Sequence, residues 1–149
     1  MNKRRFNSNK GFSLVELAIG LAVVTILILA ISMSAGIRDN ARVQSAANSV
    51  QTLRAAAENY LVSGKINYAG MTVDGLKTEK LLPDGFNASQ SNPWGGNFDV
   101  AANASDNTHF DIVLGGLAKN DADKLTSYFN NSASGSMFDG SKNIWTVTF

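Results

Sequence analysis

The feature that most limits what this chain can become is an apolar run near its start. Between Leu17 and Ile31 there is no charged residue and no proline, and Gly20 is the single glycine. A greasy segment of roughly 20 residues is long enough to cross a bilayer as a helix. Lys3, Arg4, Arg5 and Lys10 precede the run, and one carboxylate, Glu16, sits just inside its start. A carboxylate in that setting is expensive unless something pairs with it. Any account of function has to explain Glu16.

An ordinary secretory signal has a basic segment, a short apolar segment and then a small-residue cleavage site. Here the run is too long, and Ala30-Ile31-Ser32-Met33-Ser34-Ala35 is only a passable end of that kind. A plain signal-anchor with its basic side inside fits the charge asymmetry but leaves Glu16 unexplained. A third reading rests on resemblance. Lys10-Gly11-Phe12-Ser13-Leu14-Val15-Glu16-Leu17 resembles the cleavage and methylation site of type IV prepilins: Gly, Phe, then Glu four residues on, directly ahead of the apolar run. The resemblance implies that a membrane prepilin peptidase cuts between Gly11 and Phe12 on the cytoplasmic side and N-methylates Phe12. The polar leader is then lost and the apolar run kept, the reverse of a secretory signal.

That resemblance supplies a role for Glu16. Cleavage leaves an ammonium at Phe12, one helical turn from Glu16 and on the same face. The carboxylate also suits the positive end of the helix dipole. The family implies that Phe12 and Glu16 act in assembly, the Glu of one subunit meeting the Phe amine of a neighbour. In lipid or a dry filament core an unpaired carboxylate costs several kcal/mol, so pairing selects axial register. The bland alternative is a Glu snorkelling to the headgroups; the Gly-Phe context favours pairing.

No proline occurs between Phe12 and Val62. Read as one helix, about 50 residues at 1.5 Å each span roughly 75 Å. The first half is apolar on all sides. After Arg38-Asp39-Asn40 the pattern becomes amphipathic: Val43, Ala46, Val50, Leu53, Ala57 and Tyr60 recur at steps of three and four, with Arg42, Gln44, Gln51, Arg54 and Glu58 off the stripe. Such a stripe must be covered, most simply by the rest of the chain. Ser63-Gly64 is a stop signal. Gly20 and Gly36 are the weak points of the helix, and Gly36, flanked by Ser32 and Ser34, is the expected place for it to loosen.

Beyond Gly64 the periodicity breaks at Gly70, Gly75, Pro83-Asp84-Gly85 and Asn92-Pro93-Trp94-Gly95-Gly96. A short helix is expected over 72–82, with Leu76 and Leu81 buried. Two strands are expected at 97–101 and 108–114, joined by the loop Ala102–Asn107. A third helix follows from near Ala118 to Phe129, with Leu117, Leu125 and Phe129 on its apolar side. Asn130 to Gly140 is polar and small and reads as loop, and Ile144 to Phe149 is strongly β-prone. The expected class is therefore α+β: a long N-terminal helix on a small antiparallel sheet with short helices, the C-terminal strand returning into the sheet.

This half is also similar to one branch, the type IVb pilins. The Asn92–Gly96 turn, the segment Phe110-Asp111-Ile112-Val113-Leu114-Gly115-Gly116-Leu117 and the strand from Trp145 to Phe149 carry the similarity. The branch usually has a disulfide between the helix after that segment and a point just before the last strand. Here Ala122 and the neighbourhood of Asp139 occupy those places, and the chain has no cysteine. A natural disulfide typically contributes about 2–5 kcal/mol, so the subunit must rely on core burial and filament packing.

Catalytic chemistry has no constellation to rest on. His109, the single histidine, reads as a solvent-facing strand residue, and one histidine without cysteine makes no zinc set. Asp121 and Asp123 sit where a helix start favours carboxylates. Asp139 is the sole carboxylate after Asp123, too few for the acidic calcium loop of some pseudopilins. Trp94 and Trp145 read as core. The expectation is no enzyme, no metal and no cofactor. Removing the leader leaves nine basic against twelve acidic side chains, a charge of −3, which argues against a nucleic-acid platform.

The organisation expected is a leader over 1–11, a membrane or filament-core half-helix over 12–37, an amphipathic half over 38–63 and a globular head over 64–149. The chain then serves as a structural subunit of a type IV pilus, held in the inner membrane as a single-pass precursor and later extracellular. Its implied partners are other copies of itself in a helical polymer, the inner membrane, the prepilin peptidase and the pilus assembly machinery. Rival readings are a minor pilin or type II secretion pseudopilin, a membrane-tethered binding domain, and a pilin whose loops at 102–107 and 130–141 serve adhesion, conjugation or DNA uptake.

Overall fold

The computed structural model describes residues 13–86 and 92–149, apart from the side chains at 32–35. The elements run α1 (Leu14–Val62), α2 (Val73–Thr78), β1 (Phe98–Ala102), β2 (Phe110–Gly115), α3 (Lys119–Phe129), β3 (Gly135–Asp139) and β4 (Ile144–Thr148). This is an α+β, pilin-like fold: a long N-terminal helix, apolar at first, and a small antiparallel sheet with short helices. The chain divides into two compact units, Met1–Arg38 and Asp39–Phe149.

The first unit holds the apolar start of α1. Its large apolar side chains from Leu14 to Ile31 are between 50% and 88% exposed. Thr25 hides its hydroxyl by donating to the Leu21 carbonyl at 2.8 Å. Length and composition suffice for a membrane crossing.

In the second unit the same helix is covered. Val43, Ala46, Val50, Leu53, Ala57 and Tyr60 are buried, joined by Ala47 and Ala56. The steps of three and four keep these residues on one side of the helix. The helix stops because Gly64 takes φ +97°, a backbone conformation glycine adopts without strain.

The sheet has strand order β1-β2-β4-β3, antiparallel throughout. Its alternation puts Phe98, Val100, Phe110, Ile112, Leu114, Trp145 and Val147 in the core with the helix stripe. Trp145 is fully buried, and its indole N–H donates to Thr126 on α3 at 2.9 Å.

Four expectations need correction. The polar stretch after Asn130 contains a strand, β3, whose ladder comes from pairing with β4 and not from its own alternation. The helix expected over 72–82 is only α2: Thr72 caps it, accepting from the Gly75 N–H at 3.1 Å, and Lys80 at φ +57° turns the chain away. Leu76 and Leu82 are buried there, with Leu81 only half-buried. His109 is half-buried in the bend before β2, not on a strand. Leu117 is core but lies ahead of α3, whose N-cap is Ala118.

The Asn92–Gly96 turn is locked onto the sheet. The buried Asn92 side chain accepts from the N–H groups of Trp94 and Gly96 at 3.0 and 3.1 Å and donates to the Gly115 carbonyl at 2.7 Å. Gly96 lies so close to Gly115 that a Cβ there would run into the Gly115 carbonyl. Trp94 is half-buried, and its indole N–H donates to Asp121 at 2.8 Å. Asp121 is thus a buried acceptor for the turn, beyond the dipole role its sequence position suggests.

Candidate functional site at the start of the first helix

The described part of the chain begins at the place where chemistry is expected. Gly11 and Phe12 lie outside the described residues. Ser13 is the N-cap of α1: its carbonyl accepts the first intrahelical bond, from the Leu17 N–H at 3.1 Å. Its hydroxyl accepts from the Val15 N–H at 3.1 Å. Glu16 reaches back, its Oε2 accepting from the Ser13 N–H at 3.0 Å.

These two bonds form a capping box, in which N-cap hydroxyl and N3 carboxylate each satisfy a backbone donor that the helix start leaves open. The signal was present in the sequence as Ser13-Leu14-Val15-Glu16, a Ser-x-x-Glu pattern ahead of an apolar run. Reading Glu16 through its Gly-Phe neighbourhood alone passed over Ser13. Within the described residues Glu16 thus has a partner in its own chain, and the carboxylate sits in the first turn, where the dipole favours it.

Residues 6–32 match the model of the prokaryotic N-terminal methylation motif. The match includes Ser13, Glu16 and the apolar run from Leu17 to Ile31. The motif supports a type IV pilin-like or pseudopilin reading of this N-terminus. No curated protein matches the chain. The motif ends at Ser32, so it bears on the anchor and not on the head.

Two carboxylates of the head, Asp106 and Asp139, serve turns. Asp106 accepts from the Thr108 hydroxyl at 2.7 Å and N–H at 2.9 Å, and the ring of His109 lies 3.2 Å from its second oxygen. Bonding from Thr108 first, then from His109, holds the Asp106 carboxyl below the usual carboxylate range. Asp139 is lowered in the same way by the Ser141 hydroxyl at 2.6 Å and N–H at 2.9 Å, with Lys142 adding to it. The Glu79 carboxylate, 3.2 Å from the Lys65 ammonium, raises the Lys65 pKa. An open groove of about 490 Å³ beside α1, lined by Asn48, Gln51, Thr52, Ala55, Asn59 and Leu81 among others, brings together no titratable group.

Proposed function

We propose that this chain is a type IVb-like prepilin that is cut between Gly11 and Phe12, N-methylated at Phe12 and polymerised through the apolar half of α1 as the structural subunit of a type IV pilus. The observation that carries the reading is the pairing, inside one methylation motif, of a single carboxylate with an apolar helix that its own chain leaves uncovered. Before assembly the bilayer covers that helix; in the filament, helices of other copies do. Exchanging lipid for protein gains little from the hydrophobic effect, so helix packing and the pairing of Glu16 with a Phe12 ammonium supply the association. The type IVb part of the reading rests on the sequence resemblance of the Asn92–Gly96 turn, the Phe110–Leu117 segment and the last strand.

Mass spectrometry of the chain from membranes should show a terminus at Phe12 carrying one methyl group. A terminus after Ala35, or an intact leader, sinks the reading. Glu16→Gln should leave cutting and membrane insertion intact and abolish filaments; normal filaments in that variant would mean that the charge of Glu16 is not the assembly contact.

A further inference from the structure

The capping box uses only residues on the retained side of the Gly11–Phe12 bond. It therefore survives the cut on which the reading above depends. An N3 side chain curled back to the N-cap directs its carboxylate toward the N-terminal end of the helix, and Phe12 is the residue that precedes Ser13 there. Glu16 Oε2 takes the Ser13 N–H, and the second oxygen of a carboxylate is a further acceptor. A free glutamate must give up rotamer freedom to form an ion pair. One already held by the backbone N–H of Ser13 gives up less, and the Ser13 hydroxyl, bound to the Val15 N–H, fixes the N-cap backbone that presents that donor. At a helix start that sits in lipid or in a dry filament core, the backbone donors satisfied by the box have no water to turn to.

We propose that Ser13 is a positioning residue for Glu16: the Ser13–Glu16 capping box holds the carboxylate at the helix start, ordered for the Phe12 ammonium of a docking copy. The proposal rests on the prepilin reading and adds to it a residue whose contribution is made through another. It also separates two properties of Glu16. Gln at this position keeps the box, which accepts Glu or Gln at N3, and loses the charge.

The test uses the full-length chain with Ser13→Ala, Ser13→Thr, Glu16→Gln and Glu16→Ala. Filament yield is scored at equal membrane level, and amide exchange at Ser13 and Val15 is followed in detergent micelles. Ser13→Ala should lower filament yield roughly fivefold, the effect of one lost N-cap, with processing unchanged, and Ser13→Thr should restore it. The Ser13 amide should be protected in the unsubstituted chain and in Glu16→Gln but exchange freely in Glu16→Ala. Unchanged yield in Ser13→Ala, or a loss in Ser13→Thr as large as in Ser13→Ala, overturns the proposal. So does equal Ser13 protection in Glu16→Ala and the unsubstituted chain. If Glu16→Gln forms normal filaments while Ser13→Ala does not, the charge-pairing reading fails and the ordering for an ammonium fails with it, leaving Ser13 a helix cap alone; if Glu16→Gln forms none while Ser13→Ala is normal, the charge pairing stands and the positioning role fails.

Discussion

One helix lives in two regimes. From Val43 to Tyr60 its apolar side is buried against the chain's own sheet, while from Leu14 to Ile31 its apolar side chains are at least half exposed on every side. Local helix propensity is similar in the two halves, so the contrast lies in what each half is packed against. The later half is finished within one subunit. The earlier half exposes its apolar side chains, and on the proposed reading lipid and then other copies cover them, which is how an anchor would double as a polymerisation element. A carboxylate belongs to the second regime, since polarity at an uncovered apolar end specifies a partner where shape alone does not.

The contrast is broken most directly by truncating one leucine in each half. Leu53→Ala should cost the head about 2–5 kcal/mol, read by urea unfolding of the full chain in micelles through Trp145 fluorescence. Leu27→Ala should move the same transition by less than about 0.5 kcal/mol and lower filament yield instead. Comparable shifts from both would erase the distinction. Next in size, Asn92→Ala strands backbone donors of a buried turn and should destabilise the head by about 1–3 kcal/mol. Gly96→Ala, which forces the turn off the Gly115 carbonyl, should cost a similar ~1–3 kcal/mol. If either turn variant changed the start of α1 in amide exchange and left the head transition alone, the two regimes would not be separate.

The smallest effect is with pH. Asp106 and Asp139 have folded pKa values below their unfolded ones. Their contribution is thus present above the unfolded value, near 4, and is lost as pH falls through the lower folded value. Acid titration of head stability should show a shallow decline below about pH 4, flattened in the Asp106→Asn and Asp139→Asn double variant. An unflattened decline would place the acid sensitivity elsewhere.

Much of this was legible in the chain. The stripe from Val43 to Tyr60, the stop at Ser63-Gly64 and the alternating strands around Val100 and Ile112 all follow from local rules, because each residue there obeys the period of its own element. β3 was not legible. Gly135, Ser136 and Met137 are exposed on an edge strand, so no apolar alternation marks them, and their strand character comes from β4 across the ladder. Asp121 lies in the first turn of α3 as its position suggests, but its acceptor role was not legible, because it depends on Trp94, 27 positions away in sequence. The box at Ser13 and Glu16 is legible as a local Ser-x-x-Glu pattern four residues wide, independent of the Gly-Phe context.

The strand order has a consequence for how such a subunit comes into being. Of the four strands, β4 is the last made, and it lies between β2 and β3. The Phe149 ring after it stacks on Phe110 at 5.6 Å and lies under the Arg54 guanidinium, 4.6 Å from the ring centre. A nascent chain therefore cannot close its sheet in the order in which strands emerge; β3 has nothing to pair with until β4 arrives. A subunit stalled before Ile144 lacks the middle of its sheet, not its margin, and leaves two sticky edges exposed. Completion of the sheet therefore waits for the last strand of the chain.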